Sequence, residues 1–595
     1  MPFKTYSNVY QMLCDTVQKY PEQPAYRWFE ENNEEKSVTW QQYNDQVRDV
    51  AKSLIAMGLK KDDKFNIISY SCYPWVLTDM AGMSIGAVTV GIYQSNLPKD
   101  CAFIINHSDS VLIFAENDEQ LAKLMEIRGQ IPNVRKVVMF NGADGEDEWV
   151  ISYETFLKFG KDISDDAFDT CCQAVTADDA AGIIYTSGTT GIPKGAVITH
   201  DNICFTAQSV LDVTKIIHGW DMFLFLPLAH VFARTCVNTA MFTACRTTFA
   251  RSIKTLVEDF KVAAPHWFVS VPRIFEKIYT KVISDVEAKG GITEKIFNWT
   301  CTVGCQVSRC KVKKQDIPLG LGLQYNLAKK LVFSKIDKAL GGNVQWCICG
   351  AAPLNPDIAR FFHAAGILIL EGLGMTEDTS FSHVNRPDNY DFGNVGPPGT
   401  GVEHKLDEDG EILLYGRSVM KAYYKMPEET VDSFSPDGWL KTGDLGEIDE
   451  NNVLKITGRK KDIIITSGGK NIAPSAIERL MGSSKYIHQI CVVGEKRKYL
   501  SAVVTLDKEN ITAYASAQGI EYSMYQNLLT NEKVVALINE EVANKNKSLP
   551  SFEALKQVAI VPEFTIDNDM MTPTFKIKKN IIMDRYKDEI EKMYM

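Results

Sequence analysis

The sequence predicts an α/β protein with a large, multi-subdomain N-terminal body of mostly parallel sheets and a small α+β C-terminal domain. Three observations lead to this fold class. A chain of 595 residues is too long for a single hydrophobic core, so two or more domains are expected. Short apolar strands alternate with helical stretches along most of the chain, a pattern typical of parallel sheets covered by helices. After about residue 400 the pattern changes to shorter strands joined by Gly and Asn turns.

The large body is predicted from buried strands and the helices between them. Apolar runs bounded by Gly, Pro or polar residues predict strands at residues 181–186, 222–228 and 367–372, and a helical stretch covers residues 202–213. Glycine-rich turns follow some of these strands. In α/β folds, turns at strand ends are where ligands bind.

The C-terminal part is predicted to be smaller and mixed. Its predicted elements are strands at residues 411–416 and 453–458, a strand, a glycine turn and a helix over residues 462–481, neighbouring strands at 490–495 and 500–506, and a helical tail over 576–595. Pro474 suits the first turn of the predicted helix. We place the boundary between a domain of residues 1–459 and a domain of residues 460–595.

Composition excludes some functions. Lys and Arg total 64 against 75 for Asp and Glu, so the net charge of -11 argues against general nucleic-acid binding. The 14 cysteines lack zinc-site spacing, which favours free thiols in a reducing compartment. The N-terminal residues lack a signal-peptide pattern, and no apolar run reaches about 18 residues. A cytoplasmic protein is therefore expected.

The strongest motif is YTSGTTGIPKG at residues 185–195, directly after a buried strand. Its hydroxyls, glycine N–H groups and lysine are the donors that a polyphosphate needs. It is not a P-loop of the Walker type, because alignment from Gly188 puts Pro193 at the second glycine position and Gly195 at the magnesium-binding hydroxyl position. The alternative is a flexible surface loop rich in Ser, Thr and Gly.

This motif resembles the signature of the adenylate-forming, or AMP-binding, superfamily, which contains acyl-CoA synthetases, aryl-CoA ligases, beetle luciferases and peptide-synthetase adenylation domains. The resemblance implies that the loop binds ATP through Thr186, Ser187, Gly188, Thr189, Thr190, Gly191 and Lys194.

Further motifs of the superfamily follow in order. LPLAHVFAR at residues 226–234 places His230 at the acyl pocket, although a core histidine is the alternative. CGAAPL at residues 349–354 resembles the adenine-side turn, with Cys349 in place of the first of two glycines. The implied nucleotide contacts in this turn are Gly350, Ala351, Ala352 and Pro353.

EGLGMTE at residues 371–377 resembles the element that holds the α-phosphate and the magnesium ion. By resemblance, Thr376 supplies a hydroxyl to the phosphate and Glu377 supplies the metal carboxylate. The preceding residues implied to line the nucleotide are Glu371, Gly372, Leu373, Gly374 and Met375. Most members have an aromatic residue where this chain has Leu373, so adenine stacking loses about 0.5–1.5 kcal/mol.

The last motifs resemble those that bind the ribose, form the hinge and carry the catalytic lysine. GWLKTGDLGEID at residues 438–449 and the segment from residue 458 imply that Asp444 and Arg459 bind the ribose hydroxyls, and that Lys461 is the hinge of a mobile C-terminal lid. The resemblance also implies that the pantetheine arm of coenzyme A passes along the backbone of Gly468 and Gly469.

TPTFKIKKN at residues 572–580 implies that Lys576 is the catalytic lysine. Phe575 precedes it where the superfamily usually has Gly, a form associated with long-chain fatty acid members. Lys578 and Lys579 are close competitors for the role.

These residue types suit the attack of a carboxylate on the α-phosphate of ATP. Two anions repel by about 4 kcal/mol at 4 Å and an effective dielectric near 20, so the site needs cations that are already in place. Thioester formation then needs Lys576 to withdraw, which the resemblance attributes to rotation of the lid.

The acyl group is indicated only by resemblance. Residues 264–282 and the Phe-Lys ending resemble long-chain acyl-CoA synthetases, including the bubblegum-type group, so a long-chain fatty acid, ATP with Mg²⁺ and coenzyme A are the expected substrates and cofactor. Transfer to a carrier protein, or a non-catalytic binder of nucleotide or acyl-CoA, are the alternatives.

Residues 309–340 predict a peripheral membrane contact. They carry eight Lys or Arg against two Asp, and the predicted apolar helix face consists of Leu327, Leu331, Val332, Ile336 and Leu340. A packed surface helix with solvated lysines is the alternative. The oligomeric state is not predicted.

Overall fold

The computed structural model describes residues 3–30, 33–186, 192–572 and 576–595. Its strands are β1 (Pro24–Phe29), β2 (Glu35–Thr39), β3 (Lys64–Ile68), β4 (Val88–Ile92), β5 (Ser110–Ala115), β6 (Lys136–Met139), β7 (Val150–Ser152), β8 (Ala180–Thr186), β9 (Lys194–Thr199), β10 (Asp221–Leu224), β11 (Arg246–Phe249), β12 (Trp267–Ser270), β13 (Trp346–Cys349), β14 (Leu368–Leu373), β15 (His383–Val384), β16 (Val402–Leu406), β17 (Glu411–Gly416), β18 (Ala422–Tyr423), β19 (Leu440–Ile448), β20 (Leu454–Arg459), β21 (Ile464–Ile465), β22 (Asn471–Ile472), β23 (Ile487–Val493), β24 (Leu500–Leu506) and β25 (Leu555–Ile560).

The α-helices are α1 (Val9–Lys19), α2 (Trp40–Ala56), α3 (Tyr73–Ser84), α4 (Pro98–His107), α5 (Asp118–Glu126), α6 (Tyr153–Phe159), α7 (Asp165–Gln173), α8 (His200–Thr214), α9 (Val231–Phe242), α10 (Leu256–Ala263), α11 (Pro272–Lys289), α12 (Gly291–Val312), α13 (Leu319–Ala328), α14 (Ser334–Ala339), α15 (Pro356–Ala364), α16 (Pro427–Asp432), α17 (Pro474–Met481), α18 (Lys508–Ala517), α19 (Tyr525–Leu529), α20 (Glu532–Asn546), α21 (Lys579–Arg585) and α22 (Lys587–Lys592). None of the helices in the described ranges combines the length and the apolar character that crossing a bilayer requires.

Two large sheets form the body. One has the strand order β15-β14-β13-β12-β10-β11-β1-β2 and the other β18-β9-β8-β4-β3-β5-β6-β7. Neighbouring strands are parallel in the middle of both sheets, and antiparallel pairs such as β14–β15 and β8–β9 lie toward their ends. The central strands are almost fully buried, as expected when helices cover both faces of a parallel sheet. The predicted α/β class with mostly parallel sheets is confirmed.

The smaller sheets follow in the chain. Strands β16, β17, β19 and β20 form an antiparallel sheet with its own small core around Ile412 and Leu454. Beyond it, β23, β24 and β25 form a three-stranded sheet packed with α17, α18 and α20. The apolar core of this last sheet and its helices begins at Ile464. The domain boundary between residues 459 and 460 stays a prediction.

Two sequence predictions need correction. The strand predicted at residues 222–228 ends at Leu224, because the chain turns at Pro227, whose carbonyl accepts a hydrogen bond from the His230 N–H. The apolar face predicted for residues 309–340 is divided: Ile336 and Leu340 are buried in the core, whereas Leu327 and Leu331 are exposed.

The C-terminal part packs against the body through α11. Lys485 pairs with Glu287 at 2.5 Å, and the hydroxyl of Ser284 donates to Asn510 Oδ1 at 3.4 Å. Arg479 on α17 lies close enough to Glu371 for the two charges to interact. This arrangement determines which side of the small domain faces the body.

Candidate active site

The predicted phosphate loop joins two antiparallel strands. Thr186 ends β8 and Lys194 begins β9, and the two residues are register partners. The Thr186 hydroxyl donates to the Lys194 carbonyl at 3.3 Å, which closes the base of the hairpin. Ser187, Gly188, Thr189, Thr190 and Gly191 lie outside the described residues.

The predicted adenine-side turn follows the carboxyl end of β13. Ala351, Ala352 and Pro353 are exposed, and Ala351 has a φ of 69°, in the left-handed region that disfavours side chains. The next strand, β14, ends beside this turn because β13 and β14 are parallel neighbours. Gly350 and Gly372 are therefore adjacent across the sheet edge, as the predicted nucleotide contacts require.

Glu371 holds this edge together. It is 5% exposed, and its carboxylate accepts backbone N–H bonds from Leu354 at 3.0 Å and Gly393 at 3.2 Å. Burial raises the pKa of this carboxyl, although both hydrogen bonds and the charge of Arg479 oppose the rise. The carboxylate thus fixes the adenine-side turn, and this contact is how Glu371 can contribute to a nucleotide site.

The segment after β14 turns sharply. A side chain at Gly374 would overlap the Ser380 carbonyl, so only glycine fits. Leu373 and Met375 are half-buried and pack toward the small β16–β20 sheet. The short helical turn Thr376–Asp378 follows, and within the described part of the chain the Thr376 hydroxyl has no hydrogen-bond partner.

Glu377 is held from several directions. It is 8% exposed, and its Oε1 accepts a hydrogen bond from the Tyr423 hydroxyl at 2.5 Å. Its backbone carbonyl accepts from the Met420 N–H at 2.8 Å. The Lys194 ammonium lies 5.1 Å from the centre of the Tyr423 ring. The phosphate loop, Tyr423 and the predicted metal carboxylate therefore form one connected unit.

Asp444 and Arg459 form the next part of the site. They are directly opposite each other on β19 and β20, and Arg459 Nε donates to Asp444 Oδ1 at 2.7 Å. The carboxylate of Asp444 raises the pKa of Arg459, so the guanidinium stays charged. Asp444 is 8% exposed, which leaves little room for water around its oxygens.

Lys576 approaches this group from the C-terminal domain. The Lys576 N–H donates to the Thr572 hydroxyl at 3.0 Å, and the Lys576 carbonyl accepts a hydrogen bond from the Thr572 N–H at 2.8 Å. The charges of Arg459, Asp444 and Glu377 all act on the Lys576 ammonium. Lys578 and Lys579 instead pair with Asp569 and Glu478 of their own domain, which favours Lys576 over its two competitors.

Desolvation is the largest influence on Lys576. It lowers the pKa of the ammonium, Arg459 lowers it further, and Asp444 and Glu377 oppose the change. The side chain is nevertheless exposed at its surface. The two observations agree if the lysine lines a cleft: water reaches it from one side, while protein surrounds it over the longer range at which desolvation acts.

His230 completes the group on the acyl side. It caps the N-terminus of α9, where its Nδ1 accepts the Phe232 N–H at 3.1 Å. Burial, and then the charge of Lys576, lower the pKa of His230 to about 4. The ring is therefore neutral near pH 7, and because Nδ1 accepts, the proton is on Nε2.

Lys461, Gly468 and Gly469 are all exposed. Lys461 is exposed in the helical turn Lys460–Asp462, directly after β20. Its neighbour Lys460 is anchored to Asp409 and, at 2.9 Å, to Glu411. The two glycines occupy the exposed turn between β21 and β22, where Gly469 has a φ of 73°.

Tyr423 was missed by sequence reasoning. It lies on the two-residue strand β18, which is too short for a pattern to predict, and its role depends on the pairing of β18 with β9. Burial and the Glu377 carboxylate raise the pKa of Tyr423, so its hydroxyl stays protonated as a donor.

The chain matches known proteins along almost its whole length. Residues 13–424 match the AMP-binding enzyme family, and residues 461–595 match the AMP-binding enzyme C-terminal domain. The long-chain-fatty-acid–CoA ligase FadD15 of Mycobacterium bovis is 31% identical over 94% of this chain and 92% of its own length. The human long-chain-fatty-acid–CoA ligase ACSBG2 is 30% identical over 94% of this chain and 88% of its own length.

Solved structures agree on the fold. The adenylation domain of a carboxylate reductase from Mycobacterium chelonae superposes with a TM-score of 0.79 at 19% identity, covering 99% of this chain and 92% of that one. The corresponding domain from Segniliparus rugosus, in complex with AMP and a co-purified carboxylic acid, has a TM-score of 0.76 at 20% identity and covers 99% and 94%. The chain belongs to the AMP-binding enzyme family.

Proposed function

We propose that this protein is a long-chain fatty acid:CoA ligase, which joins a fatty acid to AMP and transfers the acyl group to coenzyme A. One observation carries the adenylation step. The Lys576 ammonium, from the C-terminal domain, interacts with the charges of Glu377, Asp444 and Arg459 and with His230, all in the body. The relatives named as long-chain-fatty-acid–CoA ligases support the acyl and acceptor substrates.

In the first step, an oxygen of the fatty acid carboxylate attacks the α-phosphorus of ATP, and the bond to pyrophosphate breaks. In this proposal Lys576 stands between the two anions, and its charge lowers their repulsion. Lys194 and the Thr376 hydroxyl would bind phosphate oxygens, and the Asp444–Arg459 pair would accept from and donate to the ribose hydroxyls.

The donor set of the predicted metal site suits magnesium. Glu377 offers a buried carboxylate whose orientation Tyr423 fixes, and one or two carboxylates together with phosphate oxygens and water are the usual ligands of this ion. Bound there, Mg²⁺ would neutralise phosphate charge.

In the second step, the thiol sulfur of coenzyme A attacks the acyl carbonyl carbon, and the bond to AMP breaks. Lys576 would then obstruct the thiol. We propose that residues 460–595 rotate about Lys461 as a lid, which withdraws Lys576 and presents the Gly468–Gly469 turn to the pantetheine arm. The exposed position of that turn, free of bulky neighbours, supports this role.

The test is a pyrophosphate-release assay with acids from acetate to lignocerate, run with and without coenzyme A. We expect release that depends on ATP and magnesium, rises with chain length, and yields an acyl-CoA thioester. Release without any thioester would favour a carrier-protein acceptor, and nucleotide binding without release would favour a non-catalytic binder. A cytoplasmic enzyme remains our expectation.

A further inference from the structure

Helix α13 and the π-helical turn that follows it present four leucines to solvent. Leu319, Leu323, Leu327 and Leu331 are 90%, 72%, 51% and 41% exposed, and each is four residues from the next. We call these four side chains the leucine row. Isolated exposed leucines are common, but a contiguous exposed stripe usually marks a contact surface.

The local geometry aligns the row. In an ideal α-helix, residues four apart drift round the axis. Residues 329–333 form a π-helical turn, which rotates by a smaller angle per residue and so reduces this drift between Leu327 and Leu331. No described atom outside the helix lies within 4 Å of a Cβ built at Gly320, so this part of the helix faces open space.

Core packing does not account for the row. The other side of the α13–α14 segment packs into the apolar core of the body that contains Phe268 and Phe362. The residues buried on that side are Ala328, Phe333, Ile336 and Leu340. Gly320 and Gly322 also weaken the first turns of α13, each by about 1 kcal/mol relative to Ala, as measured in other helices. The leucines are thus kept at the surface, on a locally weak helix.

Eight cations flank or interleave with the leucine row in the chain. Arg309, Lys311, Lys313, Lys314, Lys329, Lys330, Lys335 and Lys338 are all exposed. Among the described residues, none of these eight has a carboxylate partner within 4 Å. Lys314 contacts only the neutral Asn389 amide, and Lys311 lies 5.7 Å from the centre of the Tyr325 ring. The patch is positive although the whole chain has a net charge of -11.

We propose that the leucine row and its eight cations dock this enzyme peripherally on an anionic phospholipid surface. The leucines would enter the boundary between headgroups and acyl chains, and the cations would contact lipid phosphates. A second copy of the chain is a poorer occupant, because a symmetric interface would bring the unpaired lysines of both copies together. The proposal does not depend on the proposed reaction.

The test is co-sedimentation of the full chain with vesicles, at low salt, without substrates. Vesicles of phosphatidylcholine alone are compared with vesicles in which a third of the lipid is phosphatidylglycerol. We expect binding to the anionic vesicles only, and a loss of about tenfold or more in the triple variant Leu319→Gln, Leu323→Gln, Leu327→Gln. The control Val257→Gln, Met524→Gln removes side chains that are 54% and 61% exposed elsewhere, and should bind like wild type.

A second variant tests the charges. Lys329→Glu with Lys330→Glu should weaken binding to anionic vesicles by about tenfold or more, and added salt should weaken wild-type binding. Unchanged binding by the triple variant, or equal wild-type binding to both vesicle types, would overturn the proposal. So would wild-type self-association that the triple variant loses without any vesicle binding. Circular dichroism and thermal unfolding check that each variant folds.

Discussion

At the scale of single residues, Lys576 matters through its charge. Lys576→Ala should slow acyl-AMP formation by about a hundredfold to a thousandfold, because one charge placed for the transition state is lost. ATP binding should change little. Exchange of pyrophosphate into ATP, dependent on fatty acid, measures this step. Lys578→Ala removes a lysine already paired with Asp569 and should retain the rate. An equal loss in both variants would show that the lysine is misassigned.

The same lysine sets an alkaline limit. Desolvation lowers the pKa of Lys576 below its usual 10.5. Since only the protonated ammonium neutralises the reacting anions, the adenylation rate should fall as pH rises through this lowered pKa. Lys576→Arg keeps its charge and, where it retains activity, should not show this fall. A fall at the same pH in the arginine variant would assign the limit to another group.

Tyr423 gives a prediction about metal use. Tyr423→Phe removes the hydrogen bond that orients Glu377, a bond to a charged group worth about 1.5–3 kcal/mol. The magnesium concentration for half-maximal adenylation should rise about tenfold or more. Tyr424→Phe is the matched control, because that neighbouring hydroxyl donates to Asp109 at 2.9 Å, away from Glu377. A similar magnesium requirement in both variants would exclude this role.

Residue types were easier to predict than residue partners. The sequence indicated Glu377, Asp444 and Arg459 because their motifs appear in order, and the structure brings all three within electrostatic reach of Lys576. Tyr423 escaped because its partner is 46 residues away in sequence and the contact depends on the register of β18 with β9. Contacts that depend on strand register leave no local pattern in the sequence.

At the scale of elements, the turn after β14 contains a buried carboxyl whose pKa is raised. Asp378 is 0% exposed, its Oδ1 accepts the Met375 N–H at 2.9 Å, and its Oδ2 has no hydrogen-bond partner among the described residues. Burial raises the pKa of this carboxyl to about 7. The turn that presents Thr376 and Glu377 is therefore built on an acid that stays mostly protonated below about pH 7.

This turn predicts a pH-dependent stability. A carboxyl whose folded pKa is raised contributes stability that is fully present below about pH 4 and is lost as pH rises through about 7. Asp378→Asn removes that titration. Its free energy of unfolding, relative to wild type, should increase by about 3 kcal/mol from pH 5 to pH 8, because about two pH units of that range lie below the raised pKa. Urea unfolding at both pH values measures this. Asp316→Asn, at an exposed site, is the control, and a difference that does not change with pH would contradict the prediction.

Element boundaries show where sequence patterns succeed. The predicted strand at residues 411–416 coincides with β17, and Pro474 is the first residue of α17 as its N-terminal preference predicts. The helical face predicted over residues 327–340 was divided, because a π-helical turn changes the periodicity that the pattern assumed. Patterns identify elements with regular periods and fail where the period itself changes.

At the scale of the whole molecule, one chain must serve two reactions in one place. Lys576 reaches the body in the present arrangement, which the Lys485–Glu287 pair and the α11 contacts support. Both groups of that pair are partly exposed, and pairs of this kind contribute about 0–1 kcal/mol. Such weak contacts between the lobes suit a lid that must release in every turnover.

The position of Lys461 gives the prediction for this motion. Lys460 is anchored to Asp409 and Glu411, so the backbone just after it is where rotation can begin. Lys461→Pro fixes φ at that point and restricts the preceding residue as well. Thioester formation should slow by at least about tenfold more than adenylation, because only the second step needs the lid to move.

Single-turnover measurements of the two half-reactions separate these rates. Lys461→Ala removes the charge and leaves the backbone free, so it should retain both rates if the hinge acts through its backbone. Equal slowing of both half-reactions in the proline variant would argue against a rotation at this residue. Slowing of thioester formation in the alanine variant as well would assign the effect to the ammonium group, since the two variants share its loss and differ only in the freedom of the chain.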